Sequence, residues 1–367
     1  MKILTVVGAR PQFIKAAPFS MVFRQRNEEI LVHTGQHYDT NMSDVFFNEL
    51  QIPKPDYNLG VGSGSHGAQT GRMLEKIEEL LLKEKPDGVL VYGDTNSTLA
   101  GALAASKLHI PVFHIEAGLR SYNMRMPEEQ NRVLTDHISS LLFCPTQTAV
   151  DNLKKEGVIK GVQNTGDIMY DAVLRNIGLS RQRYTGNAWL DELRSANGNI
   201  PDLSEKNYYL ATIHRAENTD ETNKLSAIIR AFAELDKPVL LPLHPRTRKL
   251  LGTLNAPTDN IIIIEPVGYL LMLYLTANAY MVLTDSGGLQ KEAYFLKTPC
   301  TTLRDQTEWV ETLEDGWNVL AGIEAADIVQ KAARPLECLK FSQPLSFGNG
   351  HAAEHITQAI EDGGEIQ

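Results

Sequence analysis

Three carboxylates and a set of cations fall where a chain would place groups that act on an anionic molecule. Asp94 follows Val91-Tyr92-Gly93, Glu116 closes the run Val112-Phe113-His114-Ile115, and Glu128 follows Pro127. A carboxylate at the tip of a buried strand has a pKa open to tuning, as a group that takes and returns protons requires. Asp94 also has a plainer reading as a cap of the helix that follows, and Glu128-Glu129 as acidic residues at a helix N-terminus. Arg10 sits at a turn and Lys15 one turn into a helix, so both can reach a phosphate. His214-Arg215 and His244-Pro245-Arg246 place cations after two later apolar runs.

Two turns share the form strand, glycine, helix. Gly8-Ala9-Arg10-Pro11 follows Ile3-Leu4-Thr5-Val6-Val7, and Asp285-Ser286-Gly287-Gly288 follows Met281-Val282-Leu283-Thr284. Each is expected to aim free backbone N–H groups and the positive end of a helix dipole at an anion. At the second turn the Ser286 hydroxyl, the two glycines and Glu292 one turn on suit a diphosphate joined to a ribose diol. His66, His109, His351 and His355 read as ordinary core or surface residues. His33 and His37 lack a helical Glu partner, and Cys144, Cys300 and Cys338 are too far apart for a zinc box, so no metal site is expected.

The elements that must carry these residues alternate along the chain. Apolar runs predict strands near Ile3–Val7, Ile30–His33, Gly88–Tyr92, Val112–Ile115, Leu141–Cys144 and Val162–Thr165. Amphipathic stretches predict helices near Gln12–Arg26, Gln69–Lys83, Thr98–Lys107, Pro127–Ser139 and Thr146–Lys155. After a polar stretch from Leu179 to Lys206 the runs restart at Tyr208–Ile213, Val239–Leu243, Ile261–Ile264, Met281–Leu283 and Cys300–Leu303. This is the pattern of α/β, doubly wound parallel sheets, twice over. The expected division is a Rossmann-like domain over residues 1–168 with the carboxylates, a second over 169–350, and a C-terminal helix over 351–367 that returns to the first. The boundary is placed near Asp167–Tyr170, on the Gly166 turn. Polar residues collect where strands end, and in open α/β sheets ligands bind outside the carboxyl ends of strands.

Composition narrows the class further. The chain has 367 residues, 43% of them hydrophobic, enough for two cores. A net charge of −10 with pI near 5.5 argues against nucleic-acid and membrane-surface partners. Met1-Lys2 leads straight into a strand with no signal peptide, and no apolar run reaches roughly 18 residues. Three cysteines in or beside apolar runs read as core thiols of a cytoplasmic protein.

Taken together, Gly8-Ala9-Arg10-Pro11-Gln12-Phe13-Ile14-Lys15, Gly93-Asp94-Thr95, Glu116-Ala117-Gly118-Leu119-Arg120, Pro127-Glu128-Glu129, His214-Arg215-Ala216-Glu217-Asn218 and Asp285-Ser286-Gly287-Gly288-Leu289-Gln290-Lys291-Glu292 resemble the non-hydrolysing UDP-N-acetylglucosamine 2-epimerases. The resemblance spans nearly the whole chain. It implies two Rossmann-like domains facing across a cleft (the glycosyltransferase-B type), a homodimer, a UDP-sugar substrate and interconversion of UDP-GlcNAc with UDP-ManNAc. By that resemblance Arg10, His214, Ser286, Gly287, Gly288 and Glu292 hold UDP, while Lys15, Asp94, Glu116, Glu128 and His214 serve catalysis. Gln36, His37, Arg120 and Arg246 are expected on the sugar side.

The implied reaction makes chemical sense without a cofactor. A C2 proton of an N-acetyl sugar is not next to a carbonyl, so direct abstraction would leave a poorly stabilised carbanion. Loss of UDP from C1 removes that difficulty and leaves 2-acetamidoglucal, to which UDP re-adds after protonation on the other face. No Gly-x-Gly-x-x-Gly turn follows the first strand, and no nicotinamide is needed. Two departures bear on specificity. Many family members have Arg where this chain has Trp309, and Pro266-Val267-Gly268-Tyr269 lacks side-chain amides for a base. The aromatic resembles a branch that acts on the 2,3-diacetamido uronic acid, which stands as the alternative substrate; a glycosyltransferase or a nucleotide-sugar sensor are the alternatives from other classes.

Overall fold

The computed structural model describes residues 1–36, 44–193, 203–243, 245–252, 257–336, 339 and 346–363. The chain forms two compact units, Met1–Ala172 with Pro344–Gln367, and Val173–Gln343.

The first unit is built on seven strands: β1 (Lys2–Val7), β2 (Glu28–His33), β3 (Tyr57–Asn58), β4 (Gly88–Tyr92), β5 (Val112–Ile115), β6 (Leu141–Cys144) and β7 (Val162–Asn164). They lie in the order β3-β2-β1-β4-β5-β6-β7, every pair parallel. Strands covered on both faces read as near-continuous apolar runs, and β4 and β6 do so without a break, while β1 and β5 carry only the buried Thr5 and His114 within theirs. The helix Asn96–Lys107 has small residues where it meets the sheet. A Cβ on its Gly101 would lie 3.1 Å from Val6, so backbone and sheet approach closely and the helix N-terminus is brought to the β1–β4 edge. The C-terminal helix Ala352–Asp362 packs on the helix Arg10–Phe23, and its first N–H groups, on Ala352 and Ala353, donate to Asp171 at 3.1 and 2.8 Å.

The second unit repeats the winding with six parallel strands: β8 (Tyr209–Thr212), β9 (Val239–Pro242), β10 (Ile261–Ile264), β11 (Met281–Thr284), β12 (Cys300–Thr302) and β13 (Asn318–Leu320), in the order β10-β9-β8-β11-β12-β13. Its core joins Tyr209, Leu225, Ile228, Phe232, Leu241 and Leu283. Each sheet reverses its order beside its first strand, between β1 and β4 and between β8 and β11, the place where a doubly wound sheet opens a binding crevice. Two strands go beyond the sequence reading. β3 has two residues and β13 three, too short to show a period. The stretch read as polar from Leu179 begins inside a helix, Ile168–Arg183, that carries the chain from one unit into the other. No helix among the described residues is long and apolar enough to cross a membrane.

Candidate active site

In the first unit the ends of β1, β4 and β5 bring Arg10, Lys15, Asp94 and Glu116 to one sheet edge. Glu116 is buried and takes a left-handed backbone, φ +68°, uncommon for a residue with a side chain. Its carboxylate is ion-paired with Lys15, and its Oε2 lies 3.2 Å from where a Cβ on Gly93 would stand. Gly93 itself has φ +60°, so glycine there leaves room for the carboxylate as well as relieving the turn. Asp94 does not cap the following helix. Thr95 does, accepting from the Thr98 N–H at 3.3 Å, which frees Asp94 to pair with Arg132. Burial raises the Asp94 pKa and Glu116 adds to it, while Arg132 pulls the other way; the net direction is up.

The first glycine turn differs from its expected form. The N–H groups of Gly8 and Ala9 are not open to a ligand: the Gln12 side-chain oxygen accepts both, at 2.7 and 3.1 Å. The Gln12 amide then donates to the Tyr92 carbonyl at 2.7 Å, tying β1 to the end of β4. Pro11 has no N–H, so of the backbone groups from Gly8 to Pro11 those of Gly8, Ala9 and Pro11 offer no open donor. Gly8 is required sterically, because a Cβ would fall 1.9 Å from Ser97 Oγ and 2.6 Å from Thr34 Oγ1.

The remaining first-unit residues divide. Glu128 is exposed in the first turn of the helix Pro127–Ile138, while its neighbour Glu129 is buried and accepts from the N–H groups of Ser121 and Tyr122. Arg120 does not join the sugar-side group. Its guanidinium is buried, bidentate on Glu156 and bonded to Asp136 at 2.7 Å, so its charge is spent inside the fold. Gln36 is likewise internal, its side-chain oxygen accepting from Ser97 N and Oγ at 2.9 and 2.6 Å. His37, His244 and Cys338, and the side chain of Arg246, lie outside the described residues.

In the second unit Asp285 organises the edge between β8 and β11. Fully buried, it accepts from the backbone of His214 at 3.2 Å and of Arg215 at 3.1 Å, from the Asn218 amide at 3.0 Å, and from His214 Nδ1 at 3.2 Å. The His214 ring remains 60% exposed. Ser286 caps the helix Gly287–Phe295 by accepting from Leu289 N at 3.3 Å, so the N–H groups of Gly287 and Gly288 stand at a helix start with no intrahelical acceptor. A Cβ on Gly288 would meet nothing nearer than Ser286 Oγ at 3.9 Å; the fold alone does not require glycine there. Glu292, one turn on, is buried. Trp309 is buried with the Lys291 ammonium 3.8 Å above its ring, an indole with a cation on its face. Glu308 pairs with Arg304 at 2.9 Å and with Arg215 at 3.8 Å.

A profile of the family described as UDP-N-acetylglucosamine 2-epimerase matches residues 22–361. The chain belongs to the UDP-N-acetylglucosamine 2-epimerase family. It is therefore an enzyme of the isomerase class, on the glycosyltransferase-B-type fold. Among its relatives in this family is a Methanococcus maripaludis protein named UDP-N-acetylglucosamine 2-epimerase homolog, 54% identical over 99% of this chain and 100% of that one. A Pseudomonas aeruginosa protein named UDP-2,3-diacetamido-2,3-dideoxy-D-glucuronate 2-epimerase is 51% identical over 98% and 99%. The crystal structure of Methanocaldococcus jannaschii UDP-GlcNAc 2-epimerase in complex with UDP-GlcNAc and UDP matches with TM-score 0.84 and 44% identity, covering 98% of this chain and 99% of that one.

Gln12, Arg132 and Asp285 organise the two sheet edges without standing out in the sequence for that role. Signals existed for two of them. Gln12 stands three residues after the Ala9 that precedes its helix, the capping-box place for a glutamine, and Arg132 follows Glu129 at the spacing of a helical ion pair.

Proposed function

We propose that the protein interconverts UDP-GlcNAc and UDP-ManNAc by eliminating UDP to 2-acetamidoglucal and re-adding it. The observation that carries this reading is the pair of carboxylates at the β4 and β5 tips, each matched with its own cation yet differently placed: Glu116 buried against Lys15, Asp94 held by Arg132 with its pKa raised. Two acid–base groups in unlike surroundings are what removal of a proton from one face of C2 and its return to the other requires. In the forward step a base takes the C2 proton, the C1–O bond breaks, and its electron pair leaves with UDP. In this reading Asp94, Glu116 and Glu128 handle the proton and Lys15 serves the sugar side, while Arg10, His214, Ser286, Gly287, Gly288 and Glu292 hold UDP. Turnover in heavy water is expected to place deuterium at C2 of both epimers; epimerisation that leaves C2 fully protonated sinks the elimination route.

A second reading has its own support. The Lys291–Trp309 stack departs from the guanidinium common in the family, and the 51% identical P. aeruginosa relative bears a diacetamido-uronate name. The same reaction on UDP-2,3-diacetamido-2,3-dideoxy-glucuronate is therefore the alternative, with GlcNAc kept first. Specificity constants for the two purified nucleotide sugars decide it, and an excess for the uronate reverses the order. The same proposal includes a cytoplasmic homodimer, for which a sedimenting mass of one 40.8 kDa chain is the contrary result.

A further inference from the structure

One buried ring of the first unit is hydrogen-bonded at both of its nitrogens yet is not among the proposed catalytic residues. It is His114, two residues before Glu116 in the middle of β5, with a fully buried ring. Its Nε2 lies 2.7 Å from the Gly93 carbonyl oxygen and its Nδ1 2.7 Å from Asp136 Oδ1. A carbonyl oxygen only accepts, so Nε2 carries a proton. Asp136 also receives the Gly118 N–H at 3.1 Å and Arg120 Nη1 at 2.7 Å on its other oxygen, which is the environment of an ionised carboxylate, so Nδ1 must donate as well. Both nitrogens then carry protons. Around the ring the charges close: the imidazolium and Arg120 are balanced by Asp136 and Glu156, with His137 3.3 Å from Glu156 at the outer end. A buried ion cluster of this kind is tolerable because each charge has a bonded partner. Burial pushes the Asp136 pKa up, yet His114 and Arg120 outweigh it and hold it below the usual carboxylate range.

What the ring touches gives it a role. Gly93 is the residue before Asp94, and the Gly93 N–H donates to the Ile115 carbonyl, the residue before Glu116, at 2.9 Å. We propose that His114, held as an imidazolium between Asp136 and the Gly93 carbonyl, is a positioning residue that sets the aim of Asp94 and Glu116 without touching the substrate. The inference rests on the proposed function for its kinetic consequence, though not for its structural one. The charged groups facing the ring are Asp136 from the helix Pro127–Ile138 and, through Asp136, Arg120 from the loop after β5; Cys144 of β6 lies in the field of Asp136, with burial pushing its thiol up.

The test uses the full-length protein with 15N-labelled histidine. One histidine is expected to show both ring nitrogens protonated, and to lose that signature in D136N. A neutral ring in the wild type overturns the proposal outright. H114Q, which can still donate one hydrogen bond to the Gly93 carbonyl, and H114F, which cannot, form a graded pair. Folded H114F is expected to lose about a hundredfold in kcat, the scale of a misplaced catalytic group, with H114Q in between and KM and UDP affinity within twofold of wild type. Unchanged kcat in both variants, or loss of UDP affinity in step with kcat, rejects a positioning role. Should H114F fail to fold, H114Q alone decides through the same split of kcat from KM. Should the wild type turn over neither nucleotide sugar, the proposed function fails instead. The positioning claim then stands or falls on the amide shifts of Gly93, Asp94 and Glu116, which H114Q must move while those of His214 and Ser286 stay in place.

Discussion

The two sheet edges share a winding order but handle their polar groups in opposite ways. At the β1–β4–β5 edge nearly everything is already paired: Gln12 fills the glycine turn, Lys15 holds Glu116, Arg132 holds Asp94, and Asp136 holds His114 and Arg120. At the β8–β11 edge one buried acid, Asp285, pins the backbone of the loop, while the His214 ring and the helix start at Gly287-Gly288 are left presented. Topology therefore says where a ligand goes, and the hydrogen-bond accounting says what each place is suited to. Groups held stiffly in pairs suit proton transfer, which depends on aim; presented donors suit binding of an anion.

The largest expected effect tests the first half of that contrast. Changing Asp94, Glu116 or Glu128 to its amide should lower turnover by about a hundredfold or more while leaving UDP affinity within a factor of about two. Glu128 is the sharpest of the three, since it is exposed and its loss leaves no buried cation unpaired. Its companions are less clean, because D94N strands Arg132 and E116Q strands Lys15, so thermal unfolding must accompany the kinetics. Near-normal turnover in all three variants would dissolve the distinction between the edges and return the carboxylates to a structural role.

Two glycines sharpen the comparison with a smaller effect each. G8A should be costly to the fold, because the new methyl meets Ser97 and Thr34 side chains that themselves bond each other at 2.8 Å, and overpacking of this sort costs about 1–3 kcal/mol. G288A should fold normally, its nearest neighbour being 3.9 Å away, yet bind UDP more weakly because the methyl intrudes on the proposed diphosphate place. Melting curves and UDP titrations of both variants give four readings. A crossed pattern, with G8A binding-defective but stable and G288A unstable but binding-competent, would show that the roles of the edges have been assigned the wrong way round.

Much of this was legible in the chain because parallel strands buried on both faces leave long apolar runs, and because the residues after those runs are where a doubly wound sheet exposes its loops. What stayed hidden shares one physical cause. The pairs Arg132–Asp94 and Lys15–Glu116 are separated by 38 and 101 residues, and nothing local announces that two such side chains will meet. Arg120 misled for the same reason: an arginine beside a candidate catalytic glutamate looks like a ligand contact until Asp136 and Glu156 are placed around it. The cap at Thr95 rather than Asp94 is a matter of one residue, below what sequence can resolve.

The smallest expected effect concerns a first-unit carboxylate that has no cation partner among the described residues, and so tests whether pairing is what makes that unit stiff. Asp171 is buried and, among the described residues, accepts only backbone N–H groups, from Ala352 and Ala353 at the start of the C-terminal helix. Burial lifts its pKa from the ordinary 3.8 to about 6, with Glu354 and Asp167 adding repulsion and the two N–H bonds opposing. The folded state thus binds this proton more tightly than the unfolded chain does. Its contribution is fully present below pH 3.8 and is lost as pH rises through 6, a swing of at most about 3 kcal/mol for a shift of that size. Amide exchange in Ala352–Asp362 should therefore speed up between pH 4 and 6 beyond the intrinsic pH effect on exchange. In D171N that excess should vanish, because the amide cannot ionise. An equal excess in the variant would mean that the helix is loosened by some other titrating group, and that an unpaired buried acid is no weaker a fastening here than the ion pairs beside it.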